Sequence, residues 1–217
     1  MRLFSSVVAG VFLAASLAAQ TLVVPAAAAS VDGNSSSGWP LDVATGRLLY
    51  IYDSSHFTNN GVNFPILITQ IRYRANAAAA TWTGSTAQLS MDLSTAALDY
   101  NSISTTWNSN HGSDRTNVFN GTITIPPGSS VTGTPGPFYA TVTFTTPFLY
   151  NPALGDLVID TTHSGITPAN TPTMDAVTTT GVALAKRVYS LTNPPAAAAT
   201  AWSGELANVL EFTYAPA

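Results

Sequence analysis

Between residues 87 and 94 the chain alternates without a break: Ala87, Leu89, Met91 and Leu93 are apolar, and Gln88, Ser90, Asp92 and Ser94 are polar. A period of two predicts a strand with one buried face, because successive side chains of an extended chain point to opposite sides. The same alternation sets Phe138, Ala140, Val142 and Phe144 against Tyr139, Thr141, Thr143 and Thr145. Near the C-terminus it sets Leu210, Phe212 and Tyr214 against Val209, Glu211 and Thr213. Residues 47–52, 66–74, 122–125, 157–161, 174–178 and 186–191 are further predicted strands. Between them stand turn formers such as Asn59-Asn60-Gly61, Pro126-Pro127-Gly128, Thr134-Pro135-Gly136, Asn151-Pro152 and Asn193-Pro194-Pro195.

No amphipathic helix is predicted, since the alanine tracts 77–80 and 196–199 are too short to hold a helix alone. About nine or ten short strands separated by turns predict an all-β fold: one antiparallel β-sandwich domain of jelly-roll type. A closed barrel is the alternative. A parallel α/β sheet is disfavoured for want of crossover helices.

Composition narrows the function classes. Only 8% of the 217 residues are charged, against about 25% in average soluble proteins, so Thr, Ser and Asn must wet the surface. With 46% hydrophobic residues and a net charge of −4, the chain is not of disordered composition. Lys186 is the only lysine and no basic run occurs, which excludes a nucleic-acid partner. The absence of cysteine removes disulfides, thiol catalysis and Cys-ligated zinc.

Met1-Arg2, an apolar run over 7–19 and the small residues that follow have the order of a secretory signal peptide. The run is shorter than the roughly 20 apolar residues of a span, so residues 1–20 are expected to be cleaved near Ala18 to Gln20, with the 26–29 alanines as a later candidate. The expected organisation is a signal peptide over 1–20, a lead-in over 21–46 and the sandwich over 47–217. The product is expected outside the cytoplasm: extracellular, on the cell surface or periplasmic, with no membrane span after processing.

The ordered landmarks Ala19-Gln20-Thr21, Val31-Asp32-Gly33-Asn34, Arg47-Leu48-Leu49-Tyr50-Ile51-Tyr52, Phe57 and Ile71-Arg72-Tyr73-Arg74 open a longer pattern. It continues through Leu89-Ser90-Met91-Asp92-Leu93-Ser94-Thr95, the loop from Trp107-Asn108 to Ser113-Asp114, and Val118-Phe119-Asn120-Gly121. Pro147-Phe148-Leu149-Tyr150-Asn151-Pro152, Gly155-Asp156-Leu157-Val158-Ile159-Asp160 and Arg187-Val188-Tyr189 complete it. In this pattern the chain resembles a family of exported β-sandwich proteins of planctomycetes and related bacteria, many of whose wider relatives carry a PEP-CTERM sorting signal. The resemblance implies export and a sandwich fold and carries no activity. Two departures are Trp107 where the family pattern has Phe, and a C-terminal segment without a Pro-Glu-Pro motif, hydrophobic span or basic tail. Release or non-covalent retention is therefore expected.

Each chemical constellation competes with a plain structural role. A serine hydrolase needs Ser, His and a carboxylate together, but no Gly-x-Ser-x-Gly elbow occurs, and His111 with Asp114 lies in a Gly/Ser/Asn loop. A two-carboxylate glycosidase finds no distinctive pair among nine Asp and two Glu. Asn108, Asn110 and Asp114 match a hard-cation loop in outline only, since the first two oxygens are amides and the glycine is misplaced for an EF-type loop; backbone-bonding turn residues are the expectation. No metal or other cofactor is expected. Asp160, on a predicted strand, is expected to pair with Arg74 or Arg187 if buried, because an unpaired buried charge is prohibitive.

Trp82 and Trp202 each follow an alanine tract, and if their loops crown one end of the sandwich their rings can stack on sugars; burial of the rings is the ordinary alternative. Sheet edges poor in charge leave self-association open. The expected function is a non-enzymatic, exported structural or adhesion-type module with a cell-surface, matrix or polysaccharide partner. The alternatives are a carbohydrate-binding module using the Trp-bearing loops, and a hydrolase with an unrecognised site.

Overall fold

The computed structural model describes residues 18–38, 40–78, 80–192 and 195–217. The expected signal segment up to residue 17, Trp39, Ala79 and the pair Asn193-Pro194, where a turn is expected, lie outside the described residues. The chain forms strands β1 (Gln20–Val24), β2 (Ser35–Ser37), β3 (Thr45–Tyr52), β4 (Ile66–Arg74) and β5 (Thr81–Trp82). Next come β6 (Ser85–Thr95), β7 (Thr116–Ile125), β8 (Gly128–Ser129), β9 (Phe138–Tyr150) and β10 (Leu157–Ser164). The last are β11 (Met174–Val177), β12 (Ala185–Ser190), β13 (Thr200–Ala201), β14 (Ala207–Asn208) and β15 (Leu210–Pro216). One helical turn, α1 (Ser55–Thr58), and several 3-10 turns join them.

The strands form a four-stranded sheet in the order β1-β15-β4-β9 and a six-stranded sheet in the order β13-β12-β3-β10-β6-β7. Smaller ribbons, β14-β11-β2 and β5-β8, lie beside them. Pairing is antiparallel throughout. Three pairs are nested: β6 with β7, β4 with β9 outside them, and β3 with β10 outside those. The middle pair belongs to the opposite sheet, and β10 slots between β3 and β6. That is the wrapping of a folded long hairpin, the jelly-roll pattern, so the all-β antiparallel sandwich is the fold and both main sheets are open rather than a closed barrel.

The alternating rows become the inner faces. Ala87, Leu89, Met91 and Leu93 of β6, Ala140, Val142 and Phe144 of β9, and Leu210, Phe212 and Tyr214 of β15 all belong to one core between the sheets. The predicted row of β9 breaks at its start. Tyr73 pairs with Ala140 and Arg74 with Phe138, so Tyr139 is an extra residue. Tyr139 turns into the core against Trp82, while Phe138 lies under the Arg72 guanidinium at 5.0 Å. The lead-in segment contributes more than a lead: β1 pairs with β15 along its length and buries Leu22 and Val24.

A second, smaller cluster of Leu49, Ile51, Tyr100, Trp107, Val158 and Val188 lies on the outer face of the six-stranded sheet. The loop joining β6 to β7 covers it, assisted by the segment before β13. Trp107 is held there by donating its indole N–H to the Ala196 carbonyl at 2.9 Å.

Candidate functional site

On β10 the inner row is Leu157, Ile159, Thr161 and His163, which leaves Val158, Asp160 and Thr162 facing outward beneath the β6–β7 loop. Asp160 is 3% exposed. Arg47, two residues before its cross-strand partner Leu49 and on the same face of β3, grips it bidentately at 2.9 and 2.5 Å. Neither expected partner does so. Arg74 sits in the other sheet, buried against Asp175 at 2.7 Å and donating to the carbonyls of Ala28 and Val31. Arg187 points to the core side of β12, where it donates to Ser37 and to the Tyr50 hydroxyl at 2.8 and 3.1 Å. The expected pairing of Asp160 with Arg74 or Arg187 is therefore corrected to Arg47: the arginine must share both a neighbouring strand and a face.

His111 closes the cluster. Its Nε2 donates to Asp160 Oδ2 at 3.0 Å and its Nδ1 accepts from Ser94 Oγ at 2.9 Å, the tautomer that satisfies a carboxylate able only to accept. Arg115 reaches Asp92 at 2.7 Å and Asp160 at 3.5 Å, and the Arg47 guanidinium stacks on Trp107 at 4.4 Å. Burial raises the pKa of Asp160, but hydrogen bonds and charge from Arg47 and His111 outweigh it and hold the carboxyl below its ordinary 3.8. Ser94, His111 and Asp160 thus form the hydrogen-bond chain of a hydrolytic triad. Sequence spacing missed it, because its members are 17 and 49 positions apart and only strand order unites them. Ser94 is 0% exposed and Arg47 already pairs with the acid, so the chain ties the β6–β7 loop to the sheet.

The loop residues act as backbone clamps. Buried Asn110 accepts from the Ser104 N–H and donates to the carbonyls of Ser104, Thr106 and Trp107. Asp114 accepts from the N–H and hydroxyl of Thr95, and Asn108 accepts from Arg115. The carboxylates that do converge are elsewhere: Asp53, Asp99 and Asp156 place oxygens within 4.8 Å of one another. Burial raises the pKa of Asp156, backbone N–H groups of Ser54 and Tyr100 oppose this, and the charges of Asp53 and Asp99 add to it. Such oxygens suit a hard cation, yet each carboxylate already serves its own backbone: Asp53 binds the Ser55 N–H and Asp99 the Asn101 N–H.

The two tryptophans part company. Trp82 is 4% exposed, donates its indole N–H to the Pro126 carbonyl at 2.9 Å and packs edge-on against Tyr139. Trp202 is 41% exposed and lies 4.7 Å over the Arg187 guanidinium at the edge of the six-stranded sheet. The buried alternative holds for Trp82, which belongs to the small β5–β8 ribbon and packs into the core, so the two rings form no exposed pair.

An apolar groove of about 500 Å³ opens at the end of the sandwich where β9 finishes and β7 begins. Pro65, Pro147, Phe148, Leu149 and Leu154 line it together with Thr116. Leu149 is 57% and Leu154 73% exposed. Thr146 and Pro147 of the groove's lining belong to the extra residues that β9 carries between Thr143 and Phe148.

The fold and these features define a cysteine-free, antiparallel jelly-roll-type sandwich with a polar tie on one face and an apolar groove at one end. Comparisons of the chain with protein-family models, curated proteins and solved structures find no match.

Proposed function

We propose that the chain is an exported, non-catalytic β-sandwich module that works as a structural or adhesion-type element of the cell surface or its surroundings. The observation that carries this reading is the groove: Leu149 and Leu154, both largely exposed, line it together with Pro65 and Pro147. Grouped exposure of this kind costs solubility and is the usual mark of a contact surface. The burial of Ser94 supports the same reading, since this nucleophile, in line with an imidazole, is committed to holding a loop.

The test is export followed by retention. The full chain, expressed with its own N-terminal segment in a bacterial host, is expected in the extracytoplasmic fractions. Purified protein is expected to adhere to host cells or their extracellular matrix, and the double substitution Leu149→Glu with Leu154→Glu to release it. A chain confined to the cytoplasm, or adhesion indifferent to both substitutions, contradicts the proposal.

A further inference from the structure

Arg187 is the exception among the described arginines. Arg47, Arg72, Arg74 and Arg115 each hold a carboxylate, of Asp160, Glu211, Asp175 and Asp92. All four do so through the same edge of the guanidinium, Nε together with Nη2. That edge carries two parallel N–H groups and matches the two oxygens of a carboxylate. Arg187 is 4% exposed, yet it forms no ion pair among the described residues, and the residues outside the description contain no Asp or Glu. Its hydrogen bonds leave from Nη1 and go to neutral groups, Ser37 Oγ and the Tyr50 hydroxyl, while Nε is buried without an acceptor. A buried charge without a counter-charge is costly.

Trp202 is the exception among the described tryptophans. Trp82 and Trp107 are buried and donate their indole N–H groups to carbonyls. Trp202 is 41% exposed, and its indole N–H has no acceptor among the described residues. Its backbone is fixed: the Trp202 N–H bonds to the Arg187 carbonyl at 3.1 Å, and the Leu206 N–H to the Ala185 carbonyl at 2.9 Å. The segment therefore runs along the edge of β12, with the indole 4.7 Å over the Arg187 guanidinium and Tyr189 flanking it at 5.9 Å.

The two exceptions are in contact, and the molecule contains their completed form. At Arg47, Trp107 covers the face of the guanidinium at 4.4 Å while Asp160 occupies its Nε/Nη2 edge. Arg187 has the same aromatic cover and no acid. A carboxylate from outside the chain completes it, and the exposed indole beside that carboxylate offers an apolar face to whatever carries it.

We infer that Arg187 and Trp202 bind an acidic sugar, with the carboxylate of a uronic acid on the Nε/Nη2 edge of Arg187 and the C–H face of its ring on the indole of Trp202. Because Nε is buried, entry of the carboxylate turns the indole outward on its fixed backbone. A neutral sugar lacks the charge and a bare anion lacks the ring. The inference gives the adhesive reading a partner chemistry, but it rests on residues that take no part in the groove.

The full chain is titrated with glucuronate, glucose and acetate, followed by tryptophan fluorescence and calorimetry. Glucuronate is expected to bind saturably at millimolar concentrations, acetate about tenfold more weakly and glucose not at all. Trp202→Ala, at an exposed position, is expected to keep the parent's thermal transition, to lose the fluorescence response and to bind glucuronate no better than acetate. Arg187→Lys keeps the charge without the fork and is expected to weaken glucuronate binding about tenfold; should it not fold, Trp202→Ala decides. Absence of a saturable response to glucuronate overturns the inference. So does binding that glucose or acetate matches, or binding indifferent to Trp202→Ala. Leu149→Glu with Leu154→Glu is expected to leave glucuronate binding unchanged. A chain that adheres through its groove but binds no glucuronate sinks this inference and leaves the proposed function standing; one that binds glucuronate but is never exported does the reverse.

Discussion

Asp160, itself buried, has two arginines and an imidazole aimed at it, so the worth of each partner depends on the others. Removing the acid strands Arg47, while Arg115 keeps Asp92, and breaking a buried pair by deleting one member typically costs about 3 kcal/mol or more. Asp160→Asn is therefore expected to lower unfolding stability by about 3 kcal/mol in urea, and Ser94→Ala, which removes one neutral bond to His111, by about 1 kcal/mol. His163 is the opposite case: 2% exposed on the inner face, with no hydrogen-bond partner for either ring nitrogen among the described residues. Burial pulls its pKa from 6.5 down to about 4. A depressed folded-state pKa means the stabilisation is present above the unfolded value of 6.5 and lost as pH falls toward 4. At 1.36 kcal/mol per unit this amounts to about 3 kcal/mol. The carboxyl of Asp160 works in a lower window, holding until pH falls below its ordinary 3.8. His163→Leu is thus expected to flatten the stability profile between pH 6.5 and 4 and leave the steeper loss beneath it; an unchanged profile refutes the assignment.

The six-stranded sheet owes its second core to a loop, and this is where local pattern stops being informative. In β6 the period of two read every side chain to its correct face, because one face meets the core and the other does not. In β9 the same period misplaced Phe138, because an extra residue at Tyr139 shifts the phase and no local signal marks it. Leu49, Ile51 and Val158 face outward on strands that read as nearly continuous apolar runs, the sign of burial on both faces, though not of what covers them. The covering element is the Gly/Ser/Asn loop, whose Trp107 spans Leu49, Arg47 and the Ala196 carbonyl. The site escaped the sequence for the same reason: Ser94, His111 and Asp160 each look ordinary, and only the insertion of β10 between β3 and β6 makes them neighbours. If Trp107 is the keystone of this cover, Trp107→Ala should cost about 3 kcal/mol, as buried aromatic truncations do. Limited proteolysis should then cut between residues 98 and 114 before it cuts the strands; cleavage elsewhere first contradicts that role.

At the scale of the molecule, the pairing of β1 with β15 makes the ends of the chain depend on each other, and this bears on where the proposed export precursor would be cut. β1 is an edge strand paired with β15, and the pairing starts at Gln20 opposite Tyr214 and runs to Val24 opposite Leu210. The Tyr214 hydroxyl donates to Gln20 Oε1 at 3.0 Å, and Leu22 and Val24 are buried. Four residues beyond Val24, the Ala28 carbonyl accepts from the buried Arg74 guanidinium. A cut in the alanine tract 26–29 would remove β1, leave the edge of β15 unpaired and, if it falls after Ala28, take from Arg74 one of the acceptors that make its burial tolerable. A cut after Ala18 or Ala19 removes no paired residue, and both alanines are exposed. The exported chain is therefore expected to begin at Ala19 or Gln20, read by intact mass and N-terminal sequencing. A mature chain beginning between residues 27 and 30 would mean that the sandwich closes without its first strand. In that case a chain begun directly at Ser30 should match the exported protein in thermal stability, whereas β1, if it is part of the mature sheet, requires that chain to be the weaker of the two.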